Sequence, residues 1–93
     1  MLERKFREAV TAVIEYSRSI FKEFTMSHRE RIVEYLADLP NPKEAVNTLK
    51  AFARPHLNNR QYGKGSKELD RFTSNLPSVI NDMNRTRGCG FSR

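Results

Sequence analysis

Apolar residues recur at steps of three and four through the first 24 residues, which is the spacing of one face of an α-helix. Polar and charged residues occupy the opposite side of that helix. The apolar stripe consists of Leu2, Phe6, Ala9, Val10, Val13, Ser17, Ile20, Phe21 and Phe24. The pattern predicts one long amphipathic helix that ends near Phe24 and, at 1.5 Å per residue, is about 35 Å long.

Capping residues predict where the next two helices begin. Ser27 and Glu30 have the spacing of a capping box, which places the start of the second helix at Ser27. Pro40 predicts its end, because the residue before a proline disfavours helical geometry. Asn41 followed by Pro42 predicts the start of the third helix. Its apolar face is formed by Ala45, Val46, Leu49, Phe52 and Ala53, and Pro55 marks its end.

Two shorter helices are expected after a loop. Residues 58–65 contain two asparagines and two glycines, a composition typical of loops. Ser66 is the expected cap of a fourth helix, Pro77 opens a fifth, and the sequence after Asn84 has no apolar period. We therefore predict an all-α fold: a compact single domain of four to five helices over residues 1–84, with a flexible basic tail over residues 85–93.

The formal net charge of +6 comes entirely from the second half of the chain. Residues 1–48 carry eight basic and eight acidic side chains, whereas residues 49–93 carry nine basic and three acidic ones. No carboxylate occurs between Glu44 and Glu68. Because unbalanced positive charge repels itself, it is most easily explained by an anionic partner. The charge pattern therefore predicts a basic binding surface in the second half.

The candidate binding residues combine cations with groups that can contact nucleotides. Lysine and arginine neutralise phosphates, glutamine can hydrogen-bond to bases or sugars, and tyrosine can stack on an unpaired base. The predicted surface consists of Lys50, Arg54, Arg60, Gln61, Tyr62, Lys64, Lys67, Arg71, Arg85 and Arg87. The alternative interpretation is a solvated basic surface without a partner.

The leading hypothesis is a non-enzymatic binding protein that engages nucleic acid or a nucleic-acid-processing complex. The alternative is a protein–protein inhibitor or adaptor, of the kind carried by mobile genetic elements, that caps an acidic surface of a larger assembly. The sequence leaves both open, because a phosphate groove and a carboxylate-rich groove require similar basic residues.

Two further interpretations concern single helices. The second and third helices could form a DNA-reading helix-turn-helix with Asn47 and Lys50 toward the base edges, although the short link lacks the usual glycine and Glu44 would face phosphates. Ile14 and Tyr16 lie off the stripe of the first helix, and such extra apolar area raises the alternative of a homodimer through that helix.

Several classes are disfavoured. One cysteine (Cys89) and two histidines (His28 and His56, both expected at the surface) cannot build a disulfide or a metal site by spacing. No phosphate-binding glycine motif or isolated carboxylate pair is present, so we expect no enzyme activity and no cofactor. The charged N-terminus and the lack of a long apolar run predict a cytoplasmic protein without a membrane partner.

Overall fold

The computed structural model describes the backbone of residues 2–37 and 39–91, and the side chains of residues 4–37 and 39–85. These residues form five α-helices and a short 3-10 helix, with no strand among them. The helices are α1 (Leu2–Arg18), α2 (Met26–Leu36), α3 (Pro42–Ala53), the 3-10 helix Arg54–His56, α4 (Asn59–Ser74) and α5 (Leu76–Phe91). The predicted all-α fold is confirmed, and the Cα radius of gyration of 13.2 Å is that of a compact domain.

Helix α1 lies at the centre of the domain and packs against α2, α3 and α4. Small residues on α1, including the fully buried Ala9 and Ala12, allow the neighbouring helices to approach closely. Each neighbour contributes fully buried large apolar residues: Ile32 and Leu36 from α2, Leu49 from α3 and Leu69 from α4. The predicted apolar stripe therefore contributes Ala9 and Val13 to the core, with Phe6 and Val10 packed against it.

The two residues that suggested a homodimer through α1 do not form a free apolar surface. Tyr16 is buried, with only 3% of its surface exposed, and Ile14 is partly buried against the core. The interpretation of Tyr16 as surface area available to a second copy was wrong. It failed because three helices surround α1, a tertiary arrangement that a single amphipathic stripe does not predict.

Helix α1 ends at Arg18, six residues before the predicted end at Phe24. The backbone amide and the hydroxyl of Ser19 both donate to the carbonyl oxygen of Tyr16, at 3.1 and 3.0 Å, and these bonds close the last turn. The hydroxyl of Tyr16 donates to the carbonyl oxygen of Lys22 at 3.0 Å and fixes the chain beyond the turn. Local hydrogen bonds of this kind compete with helix continuation.

The N-cap of helix α2 lies two residues before the predicted cap, Ser27. Thr25 is the N-cap: its hydroxyl oxygen accepts from the amide of His28, and Nδ1 of His28 accepts from the amide of Thr25, both at 3.2 Å. The prediction of Ser27 as the cap was therefore wrong. The prediction of His28 as a surface residue was also wrong, because its ring closes this reciprocal cap and is buried.

Helix α3 begins as predicted. The side-chain oxygen of Asn41 accepts from the amide of Glu44, and Pro42 occupies the first turn. Phe52 was predicted to be buried but is 57% exposed, and its ring meets the ring of Phe6 edge-on with the centroids 4.9 Å apart.

Residues 59–65 are the first two turns of α4 and do not form the predicted loop. The side-chain oxygen of Asn58 accepts from the amide of Gln61, and the side-chain oxygen of Gln61 accepts from the amide of Asn58, so Asn58, and not Ser66, caps this helix. Gly65 is buried against α1, where an added Cβ would lie less than 3.0 Å from the hydroxyl oxygen of Ser17. This glycine therefore permits close packing of α4 on α1.

Helix α5 begins at Leu76, one residue before the predicted start, and its Leu76 and Met83 are buried. Its backbone continues through Phe91, across the predicted domain boundary, so residues 85–91 are helical where we expected no regular structure. The flexibility of the basic tail over residues 85–93 stays a prediction.

Candidate functional site

The predicted basic residues do not all belong to one free surface, because three of them are paired with carboxylates. The ammonium nitrogen of Lys50 lies 2.6 Å from a carboxylate oxygen of Asp70. A guanidinium nitrogen of Arg71 lies 3.1 Å from a carboxylate oxygen of Glu23. The third pair joins Arg85 to Asp82 at 3.6 Å. These three cations are partly neutralised within the chain.

The two predicted binding residues on α5, Arg85 and Arg87, add little to this surface among the residues described. Arg85 is largely exposed, but its partner Asp82 offsets its charge. The side chain of Arg87 lies outside the described residues.

Four predicted cations have no carboxylate partner in the described part of the chain: Arg54, Arg60, Lys64 and Lys67. Arg18, from the neutral half of the sequence, joins them. Its guanidinium donates to the carbonyl oxygen of His56 at 2.6 Å, and the ammonium of Lys64 donates to the carbonyl oxygen of Ser19. These two contacts bring the end of α1, the 3-10 helix and the start of α4 together. We call the cluster of Arg18, Arg54, Arg60, Lys64 and Lys67 the basic end.

The spacing along α4 places three of these cations on one side of the helix. Arg60, Lys64 and Lys67 follow at steps of four and three residues, whereas Gly65 and Leu69 are buried on the opposite side. Arg60 lies in the first turn of α4, which contains no acidic residue. A cation near the N-terminus of a helix opposes the helix dipole at a cost of about 0.3–1 kcal/mol, which a bound anion would offset.

Gln61 and Tyr62 are engaged within the chain. The side-chain oxygen of Gln61 belongs to the cap of α4. The guanidinium carbon of Arg54 lies 4.7 Å from the centroid of the Tyr62 ring, a cation–π contact that covers one face of the ring. Tyr62 therefore positions Arg54, and the ring face under Arg54 could stack on a nucleotide base only if Arg54 moved.

Lys64 is held in place by α1. Its ammonium lies 4.7 Å from the centroid of the Tyr16 ring, in addition to its bond with Ser19. Burial raises the pKa of the Tyr16 hydroxyl, and the nearby Glu68 carboxylate raises it further. The hydroxyl therefore stays protonated and continues to donate to the backbone. The Tyr16 side chain that the Lys64 ammonium contacts is therefore uncharged.

The structure does not favour the helix-turn-helix hypothesis, because its main cation, Lys50, is paired within the chain. Lys50 would have to face base edges, but its ammonium is bound to Asp70 of α4 and its side chain is only 16% exposed. Of the two residues proposed to contact base edges, only Asn47 is exposed on α3.

Three exposed apolar residues close to one another in the sequence, next to the basic end, were not predicted. Ile20 is 97% exposed, Phe21 49% and Met26 52%. Ile20 and Phe21 lie in the segment that links α1 to α2, and Met26 is the first residue of α2. The residue before Ile20 is Ser19, the partner of Lys64. The two serines that flank Arg18 were the available signal, because serine competes with helix continuation and so weakens the case for counting Ile20 and Phe21 as core.

No protein-family model, curated protein or solved structure matches this chain. Within the described ranges, no three His, Cys, Asp or Glu side chains come together as a metal site would require. No helix in those ranges has both the length and the apolar character needed to cross a membrane.

Proposed function

We propose that this is a non-enzymatic binding protein that engages nucleic acid through its basic end. One observation carries the proposal: five cations from three parts of the chain converge at one end of the domain without a carboxylate partner among the residues described. Elsewhere in the second half, Lys50, Arg71 and Arg85 each have such a partner. Uncompensated cations in a cluster attract phosphates and release their counterions.

The arrangement suits contact with a phosphate backbone. Arg60 and Lys67 are seven residues apart, which separates them by about 10 Å along α4, so each would meet a different phosphate. Arg18, Arg54 and Lys64 are held by His56, Tyr62 and Ser19 respectively. Side chains that are already positioned lose less entropy on binding, which favours affinity.

Charge reversal tests the proposal with a matched control. The variant Arg60→Glu/Lys67→Glu changes two exposed cations of the basic end. The control Arg7→Glu/Lys43→Glu makes the same change in net charge at two exposed cations without a carboxylate partner in the described part of the chain. Arg7 and Lys43 each lie eleven residues from Arg18 and Arg54 along α1 and α3, about 16 Å away.

Binding of fluorescently labelled single- and double-stranded DNA and RNA oligonucleotides is measured by anisotropy at low salt. We expect Arg60→Glu/Lys67→Glu to lose about tenfold or more in affinity and the control to lose about twofold or less, because phosphate contacts are local. Equal losses in the two variants would show that only net charge matters. Absence of binding by the unmodified protein at low salt would overturn the proposal.

A further inference from the structure

The segment between α1 and α2 exposes apolar side chains that a small domain would normally bury. Three of the four large apolar residues exposed in the described part of the chain are Ile20, Phe21 and Met26. The fourth, Phe52, rests edge-on against Phe6. Burying an isoleucine side chain stabilises a protein, and the fold gains almost none of this stabilisation at Ile20, which is 97% exposed.

Polar contacts hold this segment in one conformation, with Ile20 and Phe21 outward and Phe24 buried. The Tyr16 hydroxyl binds the carbonyl oxygen of Lys22 at 3.0 Å. The hydroxyl oxygen of Ser19 accepts from the amide of Phe21 at 3.2 Å, and a carboxylate oxygen of Glu68 accepts from the amide of Phe24 at 3.3 Å. Ring contact with His28, at a centroid distance of 6.1 Å, supports Phe21 from the side of α2. A surface fixed before binding costs little ordering entropy when a partner arrives.

The segment is surrounded by charges of both signs, and its unpaired charge is positive, because the carboxylates of Glu23 and Glu68 both pair with Arg71. Lys22 is exposed and has no carboxylate partner within the described ranges, while the one acidic residue of the segment, Glu23, is bound by Arg71. Lys64 of the basic end binds the residue next to Ile20. A complementary partner therefore combines an apolar pocket with acidic residues at its rim.

We propose that Ile20, Phe21, Lys22 and Met26 form a protein-contact surface, and that its partner is an acidic protein whose apolar pocket receives Ile20 and Phe21. A second copy of this chain fits less well, because a two-fold contact would bring the Lys22 side chains and the two basic ends together. Nucleic acid fits less well, because the aliphatic side chains of Ile20 and Met26 gain little from phosphates. The four proposed contact residues lie outside the basic end, and the inference does not require that the basic end binds nucleic acid.

Selection from a random peptide-display library, with the intact protein as bait, tests this surface. We expect the enriched peptides to combine an aromatic or branched aliphatic anchor with neighbouring aspartates and glutamates. Synthetic versions should lose about tenfold or more in affinity for Ile20→Ser/Phe21→Ser, since each well-buried apolar anchor is worth more than 1 kcal/mol. They should bind Phe52→Ser, an exposed aromatic substitution elsewhere, as tightly as the unmodified protein. Circular dichroism verifies that all three proteins are folded.

Several outcomes would overturn the inference. One is a library that yields no enriched sequences, and another is peptides that bind Ile20→Ser/Phe21→Ser with unchanged affinity. Dimerisation in sedimentation experiments, lost in that variant, would assign the surface to a second copy. A tenfold loss of oligonucleotide affinity in the same variant would assign it to nucleic acid. Neither of the first two outcomes bears on the basic end, which is tested by Arg60→Glu/Lys67→Glu.

Discussion

Alanine substitution at the two glycines of α4 should change stability in opposite directions. Gly63 has no atom within 4 Å of the position that a Cβ would take, whereas a Cβ at Gly65 would lie less than 3.0 Å from the hydroxyl oxygen of Ser17. Both glycines lie inside the same helix. Gly63→Ala therefore measures the helical preference of alanine alone, whereas Gly65→Ala also measures the space available between α4 and α1.

The magnitudes follow from these two environments. Alanine in a helix interior is favoured over glycine by about 0.8–1.0 kcal/mol, so Gly63→Ala should raise the free energy of unfolding by about that amount. At Gly65 the same gain is opposed by overpacking, which costs about 1–3 kcal/mol. If the Ser17 hydroxyl moves aside, it gives up its bond to the carbonyl oxygen of Val13, at 2.8 Å, which contributes about 0.5–1.5 kcal/mol. Overpacking and the lost hydrogen bond together, less the helical gain, are expected to make Gly65→Ala lower the free energy of unfolding by about 0.5–3.5 kcal/mol.

Thermal and urea denaturation followed by circular dichroism measures both effects. For a domain of this size, 1 kcal/mol corresponds to a shift in Tm of about 4–8 °C. The double variant Ser17→Ala/Gly65→Ala should recover much of the loss, because the nearest remaining atom would be the Cβ of residue 17 at 3.4 Å. If Gly65→Ala were as stable as Gly63→Ala, the close packing of α4 on α1 would be refuted. Destabilisation by Gly63→Ala would refute the helical assignment of the segment.

The cap of α2 and its buried histidine give two further predictions. Thr25→Ala should lower the free energy of unfolding by about 1 kcal/mol, whereas Ser27→Ala should change it little; the reverse order in urea denaturation would restore the cap at Ser27. Burial, and then the guanidinium of Arg31, lower the pKa of His28 below its usual value, against the opposing carboxylate of Glu15. As the pH falls through about 6.5, the unfolded state takes up the proton first, so the stability present above that pH should decline. His28→Gln should show a smaller decline between about pH 7.5 and 5.5, and an equal decline would exclude His28 as its cause.

The elements that could be predicted are those in which local signals agree with the tertiary structure. The start of α3 is an example, because Asn41 and Pro42 act only on their own helix turn. The end of α1 could not be predicted from periodicity, since the apolar pattern continues past the turn that Ser19 closes. Gly65 reads as a loop residue in the sequence, and only the nearby Ser17 explains its place in a helix.

The candidate site also has a part that could be predicted from the sequence and a part that could not. Composition indicated the region of the chain that carries the charge, but not which cations remain unpaired. Lys50 is neutralised by Asp70, twenty residues away in the sequence, and Arg18 reaches the basic end through a contact with His56, thirty-eight residues away. Such pairings depend on how helices pack. The charge of isolated segments does not contain that information.

The most direct test of the basic end is the salt dependence of oligonucleotide binding. Each phosphate contact contributes about −0.9 for duplex DNA, or −0.7 for a single strand, to the slope of log K against log salt concentration. Five engaged cations predict a slope of about −4.5 or −3.5, respectively, and Arg60→Glu/Lys67→Glu should reduce its magnitude by about 2. The control Arg7→Glu/Lys43→Glu should keep the original slope. A slope near zero, or one that both variants change equally, would contradict binding of nucleic acid at the basic end.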